Sequence, residues 1–328
     1  MTPVEITPWH WVGFIACILV FLALDLGAFH RRPRAIKFRE ALAWSALWVA
    51  LALAFAGSMV FWRGSADAEA FTTGYLIELS LSLDNILVIA LIFTWFRVPA
   101  EFQHRLLFWG ILGALVMRGA MIAVGVALIQ QFEWVLYVFG AFLVAAGAKM
   151  FFSKQEMAQP EKNLVLRLVR KCFPVSPGFD GAKFLTRLDG RLALTPLALV
   201  LLLVETTDLI FAVDSVPAVF SVTRKAFIVF TSNVFAIVGL RSLYFLLVGA
   251  LGYFRYLKIG LSVVLAFIGA KMLLDPHEQS PRWFQVEIPT SISLLVVAAI
   301  LAVSIALSVT AARREKNAKP AMDTEGRR

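Results

Sequence analysis

Apolar stretches about twenty residues long recur nine times along the chain, at roughly 10–29, 42–62, 72–96, 106–128, 132–152, 195–219, 226–248, 252–273 and 289–311. Each is long enough to cross a hydrocarbon core of about 30 Å as a helix. The pattern predicts an all-α polytopic membrane protein with about nine transmembrane helices. It divides the chain into an N-terminal two-helix segment (1–71), a three-helix unit (72–152), an inner loop (153–194), a second three-helix unit (195–273), an outer loop with a ninth helix (274–312) and a polar tail (313–328) expected to be disordered.

The two three-helix units repeat one another. Aligning Asp84 with Asp214 also aligns Glu78 with Asp208 and Asn85 with Ser215. Arg118 then matches Arg241, and Gly147-Ala148-Lys149-Met150 matches Gly269-Ala270-Lys271-Met272, with Arg-to-Lys separations of 31 and 30 residues. A unit of three crossings that begins outside obliges the next to begin inside, so the repeats are expected to be inverted. Inverted repeats are an architecture of secondary transporters, with the site near the midplane between them. Small residues in the Gly-Ala-Lys-Met pairs suit close helix packing.

Composition agrees with the pattern. The 328 residues are 60% hydrophobic and 16% charged, with mean hydropathy +0.79, where soluble domains are near 25% charged. A formal charge of +9 would suit nucleic acid, but the placement of the bases argues against it. With the N terminus outside, inner loops and tail hold 23 of the 31 Lys and Arg, while the outer loops hold four: Arg63, Arg224, Lys225 and Arg282. This bias predicts an outer N terminus and a cytoplasmic C terminus. The opening Met1-Thr-Pro-Val-Glu5 lacks a basic n-region, so no cleaved signal peptide is expected. Cys17 falls in a span and Cys172 in an inner loop, which predicts no disulfide. Within that loop, Leu164 to Lys171 alternates apolar and basic residues, suited either to an anionic leaflet or to a solvated linker helix.

Candidate chemistry lies in the carboxylates that interrupt the spans: Asp25, Glu78, Asp84, Glu205, Asp208 and Asp214. A charged carboxylate at mid-bilayer costs roughly 2.5–3.5 kcal/mol on insertion scales, so each must be paired, protonated or bound. On a regular helix Glu205, Asp208, Ala212 and Ser215 share one face, as do Glu78, Ser82 and Asn85, whereas Asp84 and Asp214 sit about 100° away. Pro217 has no N–H and crowds the carbonyl of Val213, which predicts a kink beside Asp214. Depth along the spans groups Asp84 with Glu205 and Asp208, and Glu78 with Asp214. Arg118 and Arg241 are expected to balance charge, and Lys149 and Lys271 to reach for the interface. The acidic surplus suits a cation. Oxygen ligands alone, with Asp25 the least secure, favour Mn²⁺, Ca²⁺ or Mg²⁺ over Cu, Zn or Ni. A carboxylate in a low dielectric takes up a proton when its metal leaves, so metal–proton exchange is expected.

The motifs Glu78-x5-Asp84-Asn85, Val204-Glu205-x2-Asp208-x2-Phe211-Ala-Val-Asp214-Ser215-Val-Pro217, Thr231-Ser-Asn233 and Gly239-Leu-Arg241-x2-Tyr244-Phe245 resemble the TerC family of integral membrane proteins, in particular its Alx-type branch. The similarity runs from Leu24-Asp25-Leu26 to the ninth span. One departure is Leu79, where members often carry Lys. The resemblance implies manganese export from the cytoplasm across the bacterial inner membrane, and an association with tellurite resistance. It thus implies Mn²⁺ as a transported ion, with Ca²⁺ sharing its ligand chemistry, and no permanently bound cofactor. Expected partners are the metal ion, protons and the bilayer; the sequence sets no oligomeric state. Two other readings compete. One is a non-transporting scaffold in tellurite or envelope stress that docks partners on the inner loop. The other, an intramembrane aspartyl protease on Asp84 and Asp214, is disfavoured because no Gly-x-Gly-Asp surrounds either residue. No enzyme is expected.

Overall fold

The computed structural model describes residues 5–27, 38–152, 164–188, 190–248, 256–275, 285–286 and 288–318. Each apolar window coincides with one helix: α1 (Pro8–Gly27), α2 (Phe38–Trp62), α3 (Ser65–Trp95), α4 (Ala100–Gln131), α5 (Val135–Phe152), α7 (Pro196–Phe220), α8 (Ala226–Val248), α9 (Leu257–Leu274) and α10 (Thr290–Ala318). A short α6 (Leu164–Cys172) and a hairpin of β1 (Leu185–Leu188) and β2 (Arg191–Leu194) lie between α5 and α7. Among the described residues, seven helices are long and apolar enough to cross a membrane. The protein is therefore a multi-pass, all-α membrane protein apart from that hairpin.

Local chemistry sets the helix ends. Thr195 caps α7, its Oγ1 accepting from Ala198 N at 3.4 Å, and Pro196 fills the first helical position, where its missing N–H costs nothing. The α3–α4 turn contains Arg97, with φ of 51°, and Pro99, which disfavours helix at the residue before it. At the far end of α3, Arg63 Nε donates to Asp67 Oδ2 at 2.8 Å and Lys225 Nζ pairs with Asp67 Oδ1. Asp67 is buried, so this clasp ties the α2–α3 corner to the α7–α8 turn.

Four helices form the centre: α3 packs on α8, α4 on α7, α3 on α7 and α4 on α8. The first two contacts exchange members of the two sequence units. The most extensive contact joins α5 to α9, while α5 touches α4 only lightly and α9 touches α3 and α7 only lightly. That seam depends on glycine. A methyl group at Gly147 would lie 2.8 Å from Ser262 O and Ala266 N, and one at Gly269 would lie 2.7 Å from Gly140 O and Val144 N. Positions 140, 144 and 147 become 262, 266 and 269 on adding 122, so the seam contacts itself through equivalent residues.

An aromatic cluster including Phe14, Phe55, Phe71, Phe227 and Phe235 attaches α1 and α2 to α3 and α8. The ninth span, which has no partner in the repeat, packs as α10 on α9 and α3; Tyr256 N donates to Ser308 Oγ at 3.0 Å. It continues helically to Ala318, beyond the expected start of the tail. Large apolar side chains such as Phe61, Val116 and Leu295 face outward, as lipid-facing residues do.

The inner loop is folded where it is described. Val175 bridges to Leu194, Thr195 Oγ1 donates to Lys183 O at 2.7 Å, and Arg105 sits 5.2 Å above the Phe184 ring. Asp180 accepts from Thr186 Oγ1 and Lys183 Nζ, which holds its carboxyl below the usual range.

Candidate functional site

Arg118, on α4, is almost wholly buried and gathers groups from both sequence units. Its Nε and Nη2 donate to the two oxygens of Asp208 at 3.1 and 2.9 Å, and Nη1 donates to Ser215 Oγ at 3.0 Å. Nη1 also pairs with Glu78, whose side chain has no solvent exposure. Asn85 lies 3.4 Å from Asp208 Oδ1; turned so that its oxygen faces Arg118, it accepts from Nη2 at 3.3 Å and donates to Leu81 O at 3.2 Å. The predicted faces account for this assembly: Asp208 and Ser215 project from one stripe of α7, Glu78 and Asn85 from one stripe of α3. A planar guanidinium with five donors can serve several acceptors at once, which a lysine cannot.

Asp84 and Asp214 lie off those stripes and line a separate cavity of about 550 Å³. Its other walls include Ile210, Val213, Phe142, Ala146, Lys149 and Lys258, from α7, α5 and α9. Both faces of the acidic helices are thus used. Glu205 lies within electrostatic reach of Asp208 but enters no ion pair with Arg118 among the described residues. Its carboxylate lies against Gly113 of α4, where any side chain would collide with it, and its Oε2 is buried with no hydrogen-bond partner among the described residues.

The depth grouping expected from sequence needs correction: Glu78 joins Asp208, and Asp84 shares its cavity with Asp214. The apolar window for α3 opened at 72, but the helix begins at Ser65, so its midpoint is residue 80, halfway from 65 to 95. The midpoint of α7 is 208, halfway from 196 to 220. The seven extra residues slide Glu78 into register with Asp208.

Arg241 is buried on α8 and is not among the groups around Arg118. Pro217 stands inside α7, which continues through it to Phe220. Asp25 lies on α1, with its side chain outside the described residues. Among the described residues, no three His, Cys, Asp or Glu side chains converge tightly enough to hold a metal ion. Four of the acids are instead gathered in twos, Glu78 and Asp208 on Arg118 and Asp84 and Asp214 on the wall of the cavity.

Sequence reasoning missed three participants. Lys258 was counted only as an inner-loop base, although its place one residue into α9 puts it beside the bundle. Gly113 makes room for Glu205, and no spacing rule links residues 92 positions apart. Asp67 was overlooked because it precedes the apolar window of its helix.

A multi-pass all-α protein with a buried arginine–carboxylate hub and a second acidic cavity is thereby defined. The chain belongs to the TerC family of integral membrane proteins, whose pattern matches residues 63–316. It is 50% identical over 308 residues to an uncharacterized membrane protein of Myxococcus xanthus, covering 94% of each chain. It is 45% identical over 306 residues, 90% of this chain and 92% of the other, to the Alx protein of Escherichia coli K12, described as a candidate membrane-bound redox modulator. A membrane protein of Rickettsia bellii is 36% identical over 299 residues. No solved structure gives a significant match.

Proposed function

We propose that this protein is a secondary transporter that exports Mn²⁺, or a hard divalent cation like it, by exchange with protons across the bacterial inner membrane. One observation carries the reading. Asp84 and Asp214, from matched positions of the two sequence units, line one open cavity between α3, α5 and α7 and enter no salt bridge among the described residues. Intramembrane acids without fixed partners are costly, and a transported cation that periodically neutralises them accounts for their presence. Glu78 and Asp208 already share the guanidinium of Arg118, so their role is to hold the two units together, and Glu205 and Asn85 rank behind Asp84 and Asp214 as ligands.

Carboxylate oxygens and helix carbonyls suit Mn²⁺ or Ca²⁺. The exchange of α3–α8 and α4–α7 contacts, together with the self-matched α5–α9 seam, supports an inverted repeat. Basic residues on α6 and in the hairpin support a cytoplasmic placement of that loop, with the N terminus outside.

The test is ⁵⁴Mn²⁺ uptake into proteoliposomes holding the full chain, with and without an imposed pH gradient. Wild type should accumulate the ion and respond to the gradient, while Asp84→Asn and Asp214→Asn should each lose at least nine-tenths of the flux, roughly the tenfold loss that about 1.4 kcal/mol represents, with normal insertion. Flux retained in both variants overturns the assignment.

A second reading, a scaffold that docks partners on its inner loop, is favoured by the folded state of that loop: α6 and the hairpin pack against the end of α7. The redox description of the Escherichia coli relative would belong with it. Wild-type proteoliposomes without flux would support it.

A further inference from the structure

The charged groups of the 550 Å³ cavity are divided between two layers. The acids Asp84 and Asp214 stand on the central helices α3 and α7, and the bases Lys149 and Lys258 on the outlying α5–α9 pair. The formal charges cancel, two against two. No salt bridge within 4 Å joins them among the described residues, yet each acid lies within electrostatic reach of one lysine, Asp84 of Lys258 and Asp214 of Lys149.

Helix position adds a second argument. Lys149 is in the last turn of α5, where the helix dipole favours a cation. Lys258 is in the first turn of α9, where the dipole opposes one, so its placement needs a compensating acid. Asp84 supplies it. Both lysines stand near helix ends, with stems long enough to carry the ammonium out of the cavity.

A divalent ion entering the cavity with both lysines in place would gain nothing from its net charge and would be repelled by two ammonium groups at close range. Two ammonium groups carry the same charge as one such ion. We infer, building on the transport reading, that Lys149 and Lys258 are tethered cations that neutralise Asp84 and Asp214 in the empty cavity and are displaced when the divalent ion binds. After release the lysines return to the acids. They act on the ion through the acids and by exclusion, and so set its affinity without ligating it.

The probe is Mn²⁺ itself, with free ion measured by electron paramagnetic resonance against the purified full chain in detergent. Removing a competitor tightens binding: Lys149→Gln and Lys258→Gln should each raise Mn²⁺ affinity, and the double variant by roughly 5- to 150-fold, the usual span of a coupling between sites. Unchanged or weaker binding in the double variant overturns the inference and leaves the transport reading standing. A metal-free readout separates the two. Thermal unfolding of Asp84→Asn, Lys258→Gln and their double, and of Asp214→Asn, Lys149→Gln and theirs, should be less than additive in each cycle. Strict additivity in both cycles also overturns it. If wild type binds no Mn²⁺ but the cycles are non-additive, the transport reading falls while the neutralisation of the acids by these lysines stands.

Discussion

Arg118 is the residue on which the centre of the bundle depends. Its side chain donates to Asp208 and Ser215 and pairs with Glu78, groups drawn from α7 and α3, and all are buried or nearly so. Removing one partner of a buried ion pair leaves an uncompensated charge, at about 3–5 kcal/mol. Arg118→Leu should therefore lower stability by about that much in detergent unfolding, and Arg118→Lys should recover little, because a single ammonium cannot reach the same acceptors. Equal stability of Arg118→Leu and wild type would show that the acids find other partners. At this scale the sequence was readable where helical periodicity alone sufficed. The stripes Glu78–Ser82–Asn85 and Asp208–Ala212–Ser215 follow from 3.6 residues per turn, and so does the exclusion of Asp84 and Asp214 from them. That Arg118 and not Arg241 would gather these acids depends on which helices touch, which no local rule contains.

At the scale of elements, the long apolar helices were legible because a bilayer imposes a length that soluble folds do not, and among the described residues seven helices reach it. The errors arose at ends. At 31 residues, α3 is about 46 Å long at 1.5 Å per residue, well beyond the hydrocarbon core, and its polar first turns hid Asp67 and shifted the register of Glu78. The hairpin 185–194 escaped because four-residue strands, Leu-Thr-Arg-Leu and Arg-Leu-Ala-Leu, give too little alternation to distinguish from a linker. The Gly-Ala-Lys-Met pairs announced close packing correctly, and the structure adds their partners. Gly269→Leu should cost about 1–3 kcal/mol by overpacking against Gly140 and Val144, measured as a lower Tm in detergent. Gly13→Ala, with nothing within 4 Å of the added carbon, should leave Tm unchanged or slightly higher. Equal effects of the two would mean that the seam yields.

For the molecule as a whole, the matched spacings 78/208, 84/214 and 85/215 suggest two related units in one sequence. The way they interlock was not visible. Strands or helices that repeat in sequence do not reveal whether they pack within their own half or across to the other, and here the strongest contacts cross: α3 to α8, α4 to α7, α5 to α9.

That last crossing governs how the cavity can open. Backbones brought together by Gly140, Gly147 and Gly269 have no side-chain layer along which to slip, so α5 and α9 form a single strut, one helix from each sequence unit, with α10 packed along α9. A hinge between the two halves would tear this strut, whereas swinging it as one piece would not. On the proposed transport reading, the strut is the rocker and the four central helices are its stator. Bridging Ala146→Cys and Val213→Cys, on opposite walls of the cavity, with a short thiol cross-linker should arrest ⁵⁴Mn²⁺ flux, and reduction of a cleavable linker should restore it. Undiminished flux with the bridge in place would mean that the strut stays still.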